Sequence, residues 1–474
     1  MKNYLLTFTL IFAGCVSQPK GDSLSKLIAK GEFTVASQTI DSLLNDEILT
    51  NAERSSLMFT KDSLHRVSID FNKSREDIVK WIEERHGFTP TEEQLSKWEA
   101  SKSLEYKIID GEKRYFRNAA PNIFRIDADA RTLTKIAPTT DTPRDSLLID
   151  ALNNMTSTDI NGKFLLPKKR MHIVYTLTVD ANAVPAGELL KVWLPYPRND
   201  IPRQSDVKFI RASQPDFTFS EDKTDHTSVY MEKRAEQDKP TVFQIECEFA
   251  SQGEYFDLTK FDIQPYNTNS PEYTKYTSER VPHIQFTNQL KSLTDSVTKN
   301  TQTPLENLRA IYRYIAANYP WASALEYSTI TNIPEYVIEN RKGDCGQVAL
   351  LLITMLRYKG IPSRWQSGWM VHPGEVNLHD WAEVYFEGVG WVPIDISFAR
   401  GGELKHPIGR EFFMSGIDSY RLYVNSDYSG EFFPAKKYPR SETVDFQRGE
   451  VESEHWNLYF DQWDYDMEVL YLVD

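Results

Sequence analysis

The chain has 474 residues, enough for about three domains of roughly 150 residues each. Hydrophobic residues make up 40%, charged residues 26% and aromatics 12%, with 21 Gly and 24 Pro, which excludes collagen-like, low-complexity and wholly disordered chains. Lys and Arg number 54 against 68 Asp and Glu, a net charge of −14 with no basic run, so no nucleic-acid partner is expected.

Three cysteines, Cys15, Cys247 and Cys345, are too few for a disulfide framework, so each needs its own reading. The chain opens MKNYLLTFTLIFAGC: a Lys, an apolar run over residues 4–13, then Ala13 and Gly14 before Cys15. The run is too short to span a bilayer and reads as a signal peptide over residues 1–14. A cysteine directly after Ala-Gly resembles a bacterial lipoprotein signal, which implies cleavage before Cys15, lipidation there and export to a bacterial membrane, with the outer membrane or cell surface favoured. The polar residues that follow read as a tether.

Residues 15–165 are expected to form an N-terminal helical region. Apolar residues recur at three- and four-residue spacing over 22–72, with Thr50 or Asn51 as a cap and Glu53 in the first turn. Ser74 is placed to cap a second stretch that stops at Gly87, and Thr91 a third. LEYKIIDGEKRYF then alternates around Asp110-Gly111, a hairpin signal. Helix, helix, hairpin is a winged-helix-like order. The second helix carries Glu92, Glu93 and Glu99, so it reads as a structural or protein-contact module and not a DNA reader. Residues 120–165 are polar and read as a connector.

Residues 166–275 show period-two alternation with turn residues between, the pattern of an antiparallel β-sandwich. Cys247 falls on the same strand face as Phe243 and Ile245 and reads as a buried structural thiol. Residues 401–474 form an aromatic-rich C-terminal extension expected to pack back on the preceding domain.

The chemistry is concentrated in residues 276–400. In RKGDCGQVALLLITMLRYKGIPSRW, residues 346–358 are almost continuously apolar and end at Lys359-Gly360, so they read as a buried helix. Gly343-Asp344 start it and place Cys345 in its first turn, where free N–H groups and the dipole favour thiolate. Downstream, HDWAEVYF and WVPIDISF alternate about a Gly-rich turn and read as a β-hairpin. A three-residue loop over 387–389 would set Asp395 opposite Trp381 and diagonal to His379, on one face; a two-residue loop would separate them. Asp395 would then orient the imidazole.

Together, GDCGQVALLLITMLRYKGIPSRW and HDWAEVYFEGVGWVPIDISF resemble the core of the transglutaminase-like superfamily. The resemblance covers residues 343–398. It implies a papain-like cysteine-enzyme core with Cys345, His379 and Asp395 as catalytic triad. It also implies a side-chain oxyanion donor upstream of the nucleophile, for which Trp321 is the candidate beside the Cys345 backbone N–H. Gln347 is expected to project along the helix, and Trp381, Arg364 and Glu383 to be structural. His372, His379 and His406 lack metal-ligand spacing, so neither metal nor other cofactor is expected.

The expected class is thus α+β: a papain-like transglutaminase core preceded by an antiparallel β-sandwich and an N-terminal helical region. The expected function is attack of Cys345 on a peptide or amide carbonyl of a peptide or protein substrate, with hydrolysis favoured. Acyl transfer to an amine and a non-catalytic surface binding module are the alternatives.

Overall fold

The computed structural model describes residues 19–45, 48–136, 143–221, 224–400 and 406–472. The leader and Cys15 lie outside the described residues. The chain divides into two compact units, Met1–Pro138 with Ala322–Thr331, and Thr139–Trp321 with Asn332–Asp474.

The first unit is helical because its caps and apolar stripes are in phase. Thr50, Ser74 and Thr91 each close a reciprocal capping box, with Glu53, Asp77 and Gln94, and start Asn51–Asp70, Arg75–His86 and Glu92–Ala100. Gly87 ends the second of these in the left-handed conformation, at φ 74°. Tyr106–Ile109 and Glu112–Tyr115 pair antiparallel about Asp110-Gly111, both at positive φ, as a two-residue hairpin turn requires. Residues read as a polar connector instead begin with two helices, Ala119–Ile126 and Ala128–Leu133, followed in the second unit by Pro143–Asn153. They are short, and Pro121 masks the first; at its third residue a proline displaces no intrahelical donor. Ala322–Thr331 joins this unit through Asn122, whose side chain exchanges hydrogen bonds with the Ser323 backbone at 2.9 Å in each direction.

The second unit holds a β-sandwich and the core around Cys345. One sheet of the sandwich has the order Trp463–Leu472, Lys169–Val179, Thr241–Ser251, Gln204–Ala212. The other has Asn457–Leu458, Glu450–Glu452, Leu189–Pro195, Ser228–Arg234, Phe217–Phe219. Alternate residues point inward, so Met171, Ile173, Tyr175 and Leu177 meet Leu190, Val192 and Met231 in one core. Cys247 is part of it at 2% exposure, and burial pushes its thiol up to about 12. The C-terminal segment supplies three strands to these sheets, and Trp463–Leu472 runs beside Lys169–Val179 for ten residues.

In the core, Cys345–Tyr358 is enclosed by helices Asn288–Val297, Pro304–Asn318 and Ile333–Asn340 and lies on an antiparallel sheet. That sheet runs Gly390–Ile394, Glu375–Phe386, Ser363–His372, Arg421–Asn425. From Gly346 to Arg357 every helix residue is buried, which explains a sequence that is apolar save for Gln347, Thr354 and Arg357. Among the described residues no helix is long and apolar enough to cross a membrane.

Candidate active site

Cys345 is positioned by the way its helix begins. The Asp344 side chain accepts from Gln347 N at 3.0 Å, and Gln347 Oε1 accepts from Asp344 N at 3.4 Å. This reciprocal cap makes Cys345 the first helical residue. Gln347 is therefore turned back on the cap instead of along the helix. Its Nε2 is buried without a hydrogen-bond partner. The Cys345 sulfur donates to Asp380 Oδ2 at 3.3 Å.

His379 and Asp395 are brought together by hairpin register. Val384 pairs with Val392 and Phe386 with Gly390, which leaves three residues, 387–389, in the loop. Continuing that register sets Asp395 across from Trp381 and on the His379 face. His379 Nε2 lies 2.8 Å from Asp395 Oδ2. An ionised carboxylate there accepts a hydrogen bond from Nε2–H and leaves Nδ1 as the nitrogen able to accept a proton. The imidazole stacks on Phe398, with centroids 4.7 Å apart and planes within 13°. Its ring cannot turn without losing that contact.

Asp395 has a second partner that strand alternation did not reveal. Arg421 Nη1 donates to Asp395 Oδ2 at 2.9 Å, and Arg421 Nη2 to Asp418 Oδ2 at 2.6 Å. Asp418 Oδ1 is 3.1 Å from His372 Nε2. A buried row of His379, Asp395, Arg421, Asp418 and His372 results. A fully buried arginine in the apolar strand RLYVN is the one sequence signal that could have exposed it.

Electrostatics follow from burial and these contacts. Burial alone would raise the Asp395 carboxyl, but His379 and Arg421 outweigh it and hold it below the usual carboxylate range. Burial lowers His379 below the ordinary imidazole value, Asp395 opposes this, and Arg421 adds to it. The imidazole is thus neutral at rest. Cys345 departs from expectation. Burial, with the Asp380 and Asp344 carboxyls beside it, pushes the thiol well above its ordinary value despite the helix N-terminus.

Trp321 is 41% exposed, and its backbone bridges Gly343 in parallel, two residues before Cys345. The residues read as structural are packed as such. Trp381 Nε1 donates to Gln366 at 3.1 Å, and the buried Glu383 sits between Arg203 and Arg364. His406 lies apart, its Nδ1 accepting from Ile408 N at 3.3 Å.

Residues 291–396 match the model of the transglutaminase-like superfamily. This segment, which contains Cys345, His379 and Asp395, is a transglutaminase-like core of α+β class, preceded by the β-sandwich and the helical region. More particularly, the uncharacterized protein YebA of Bacillus subtilis is 25% identical over 152 residues. That match covers 27% of this chain and only 20% of YebA. Among solved structures, a Cytophaga hutchinsonii protein provisionally named a cysteine protease is similar with a TM-score of 0.43 and 13% identity, over 66% of this chain and 93% of that one. The periplasmic domain of TgpA from Pseudomonas aeruginosa is similar with a TM-score of 0.27 and 13% identity, over 48% of this chain and 88% of that one.

Proposed function

We propose that the protein is an exported, lipid-anchored cysteine enzyme that hydrolyses a peptide or amide bond through a thioester on Cys345. The observation that carries this reading is the 2.8 Å contact between His379 and Asp395, in a transglutaminase-like core whose only cysteine opens the central helix.

In the proposed reaction the Cys345 proton passes to His379 Nδ1 and the sulfur attacks the carbonyl carbon. The carbonyl oxygen becomes an oxyanion, for which the Cys345 N–H and the Trp321 indole N–H are the proposed donors. Collapse breaks the C–N bond, and His379 gives its proton to the departing amine. Water then attacks the thioester and yields a proton to His379. The acid leaves, and the thiol is restored. Asp395 holds the tautomer and stabilises the imidazolium formed on the way.

The test is a mixed peptide pool incubated with the soluble chain from residue 16 on, wild type beside Cys345→Ala, with and without a primary amine. Shortened peptides dependent on Cys345 are expected. Amine-capped peptides would reassign the enzyme to acyl transfer. Product from neither protein, with Cys345 alkylating no faster than Cys247, would favour the binding-module reading. Anchoring is tested separately by expressing the full chain in a bacterium. Wild type is expected in the membrane fraction and Cys15→Ala in the soluble exported fraction; equal partition would sink the anchor.

A further inference from the structure

One carboxyl outside the Cys345, His379 and Asp395 set touches the sulfur. Asp380 follows His379 in the strand and is 2% exposed. Its Oδ2 accepts from Cys345 Sγ at 3.3 Å, and its Oδ1 accepts from Gln447 Nε2 at 2.8 Å. The same Gln447 Nε2 donates to the His379 carbonyl at 2.8 Å. Gln447 is itself tied down, its N donating to Glu442 Oε2 at 2.7 Å. The C-terminal segment thus fixes the Asp380 carboxyl against the nucleophile and holds the histidine backbone beside it.

The groups around this contact are mostly acidic. Asp344 approaches from the helix start, His379 is the neighbour on the same strand, and Asp445 and Glu442 come from the C-terminal segment. Arg448 is engaged by Glu442, with Nε to Oε1 at 2.8 Å. Two acids 3.3 Å apart in a dry site do not both ionise, so sulfur and carboxyl share a proton.

We propose that Asp380 is a positioning residue that restrains the nucleophile, taking the Cys345 hydrogen bond and holding the sulfur as thiol, away from His379, until substrate displaces that contact. This rests on Cys345 being the nucleophile. It goes further by giving the resting enzyme a built-in restraint, contributed through Gln447 by a segment about a hundred residues downstream.

The test is the pH profile of iodoacetamide alkylation of Cys345, read by mass spectrometry of its peptide. No substrate is needed, so the result is independent of whether peptide cleavage is found. Asp380→Asn keeps the size of the side chain, removes its charge and replaces one of its two acceptor oxygens by an N–H donor. We expect its profile to move to lower pH, with alkylation at pH 7 at least tenfold faster than in wild type. Gln447→Met, which frees the carboxyl without altering it, is expected to move the profile the same way by a smaller amount and serves if Asp380→Asn does not fold. Cys247 alkylation in the same samples reports any loosening of the fold and should not change. An unchanged Cys345 profile, or slower alkylation in Asp380→Asn, would overturn the proposal. So would acceleration of Cys247 in parallel, because the effect would then be general unfolding.

Discussion

At the scale of single residues, the site is a balance between burial and charge. Asp395 stays ionised because Arg421 and His379 outweigh its desolvation. Asp395→Asn keeps the shape but loses the charge that stabilises an imidazolium. Cys345-dependent turnover is expected to fall by roughly 10³–10⁴-fold with substrate binding little changed, read as separate kcat and KM. Arg421 lowers both Asp395 and His379. Arg421→Lys preserves that charge, whereas Arg421→Met releases both groups upward. The acid limb of the activity profile should therefore move to higher pH in the methionine variant and stay near its wild-type position in the lysine variant; equal profiles would remove Arg421 from the electrostatics. Burial of Asp418 beside the missing cation should also cost Arg421→Met about 3–5 kcal/mol of stability.

At the scale of elements, the close approach of two strands decides whether Arg421 reaches the site. Gly368 pairs with Tyr423, and a Cβ on Gly368 would lie 1.9 Å from the Leu422 carbonyl oxygen, so the strands would have to separate. Gly368→Ala is expected to destabilise the second unit by about 1–3 kcal/mol and to lower activity through the displaced Arg421 strand. A lowered urea midpoint together with a shifted acid limb would show this, and a lowered midpoint alone would not. The hairpin and the start of the helix were legible in the sequence, since both are local: Gly343-Asp344 directly precede the apolar run, and the loop over 387–389 sets the register by its own length, whereas the turn of Gln347 back onto the cap was not read. Asp380 and Gln447 were not legible. Alternation places Asp380 on the face opposite His379, and its partner Gln447 is 67 residues away.

At the scale of the whole molecule, the two units carry buried groups whose protonation changes stability in opposite directions. His283 is buried, its Nδ1 accepts from Ile333 N at 3.3 Å, and burial pulls it down to about 4. The unfolded chain, near 6.5, binds a proton that the folded chain refuses. Its contribution is present above about 6.5 and is lost as pH falls to about 4, on the order of 3 kcal/mol in all. Asp70 in the first unit behaves oppositely. Burial, with Glu326 nearby, raises its carboxyl to about 7, so its contribution is present below the unfolded value of about 3.9 and is lost as pH rises towards 7. Hydrogen exchange should therefore slow in Asn51–Asp70 and quicken in Ile333–Asn340 relative to His283→Gln and Asp70→Asn controls as pH falls from 7 to 4. Identical pH slopes in wild type and controls would show that neither group matters. Deleting residues 463–472 strips the ten-residue partner from Lys169–Val179 and uncovers a long apolar edge. Such a chain is expected to melt earlier and to aggregate, seen by light scattering during a thermal ramp.

By itself the sequence determined what depends on short range. It set the helix that begins at Cys345, the hairpin that turns His379 and Asp395 to one face, the alternating sandwich strands, and the buried position of Cys247. Periodicity, caps and loop length act over a few residues, so they can be read from the chain. Tertiary structure alone decided which distant groups are buried against these. It placed Arg421 on Asp395, Asp380 against the cysteine with Gln447 holding that carboxyl, and the last strand on the edge of the sandwich. Burial of Cys345, with the Asp380 and Asp344 carboxyls beside it, raises the thiol where the helix N-terminus would lower it, because desolvation and like charge in a dry interior outweigh a terminal dipole.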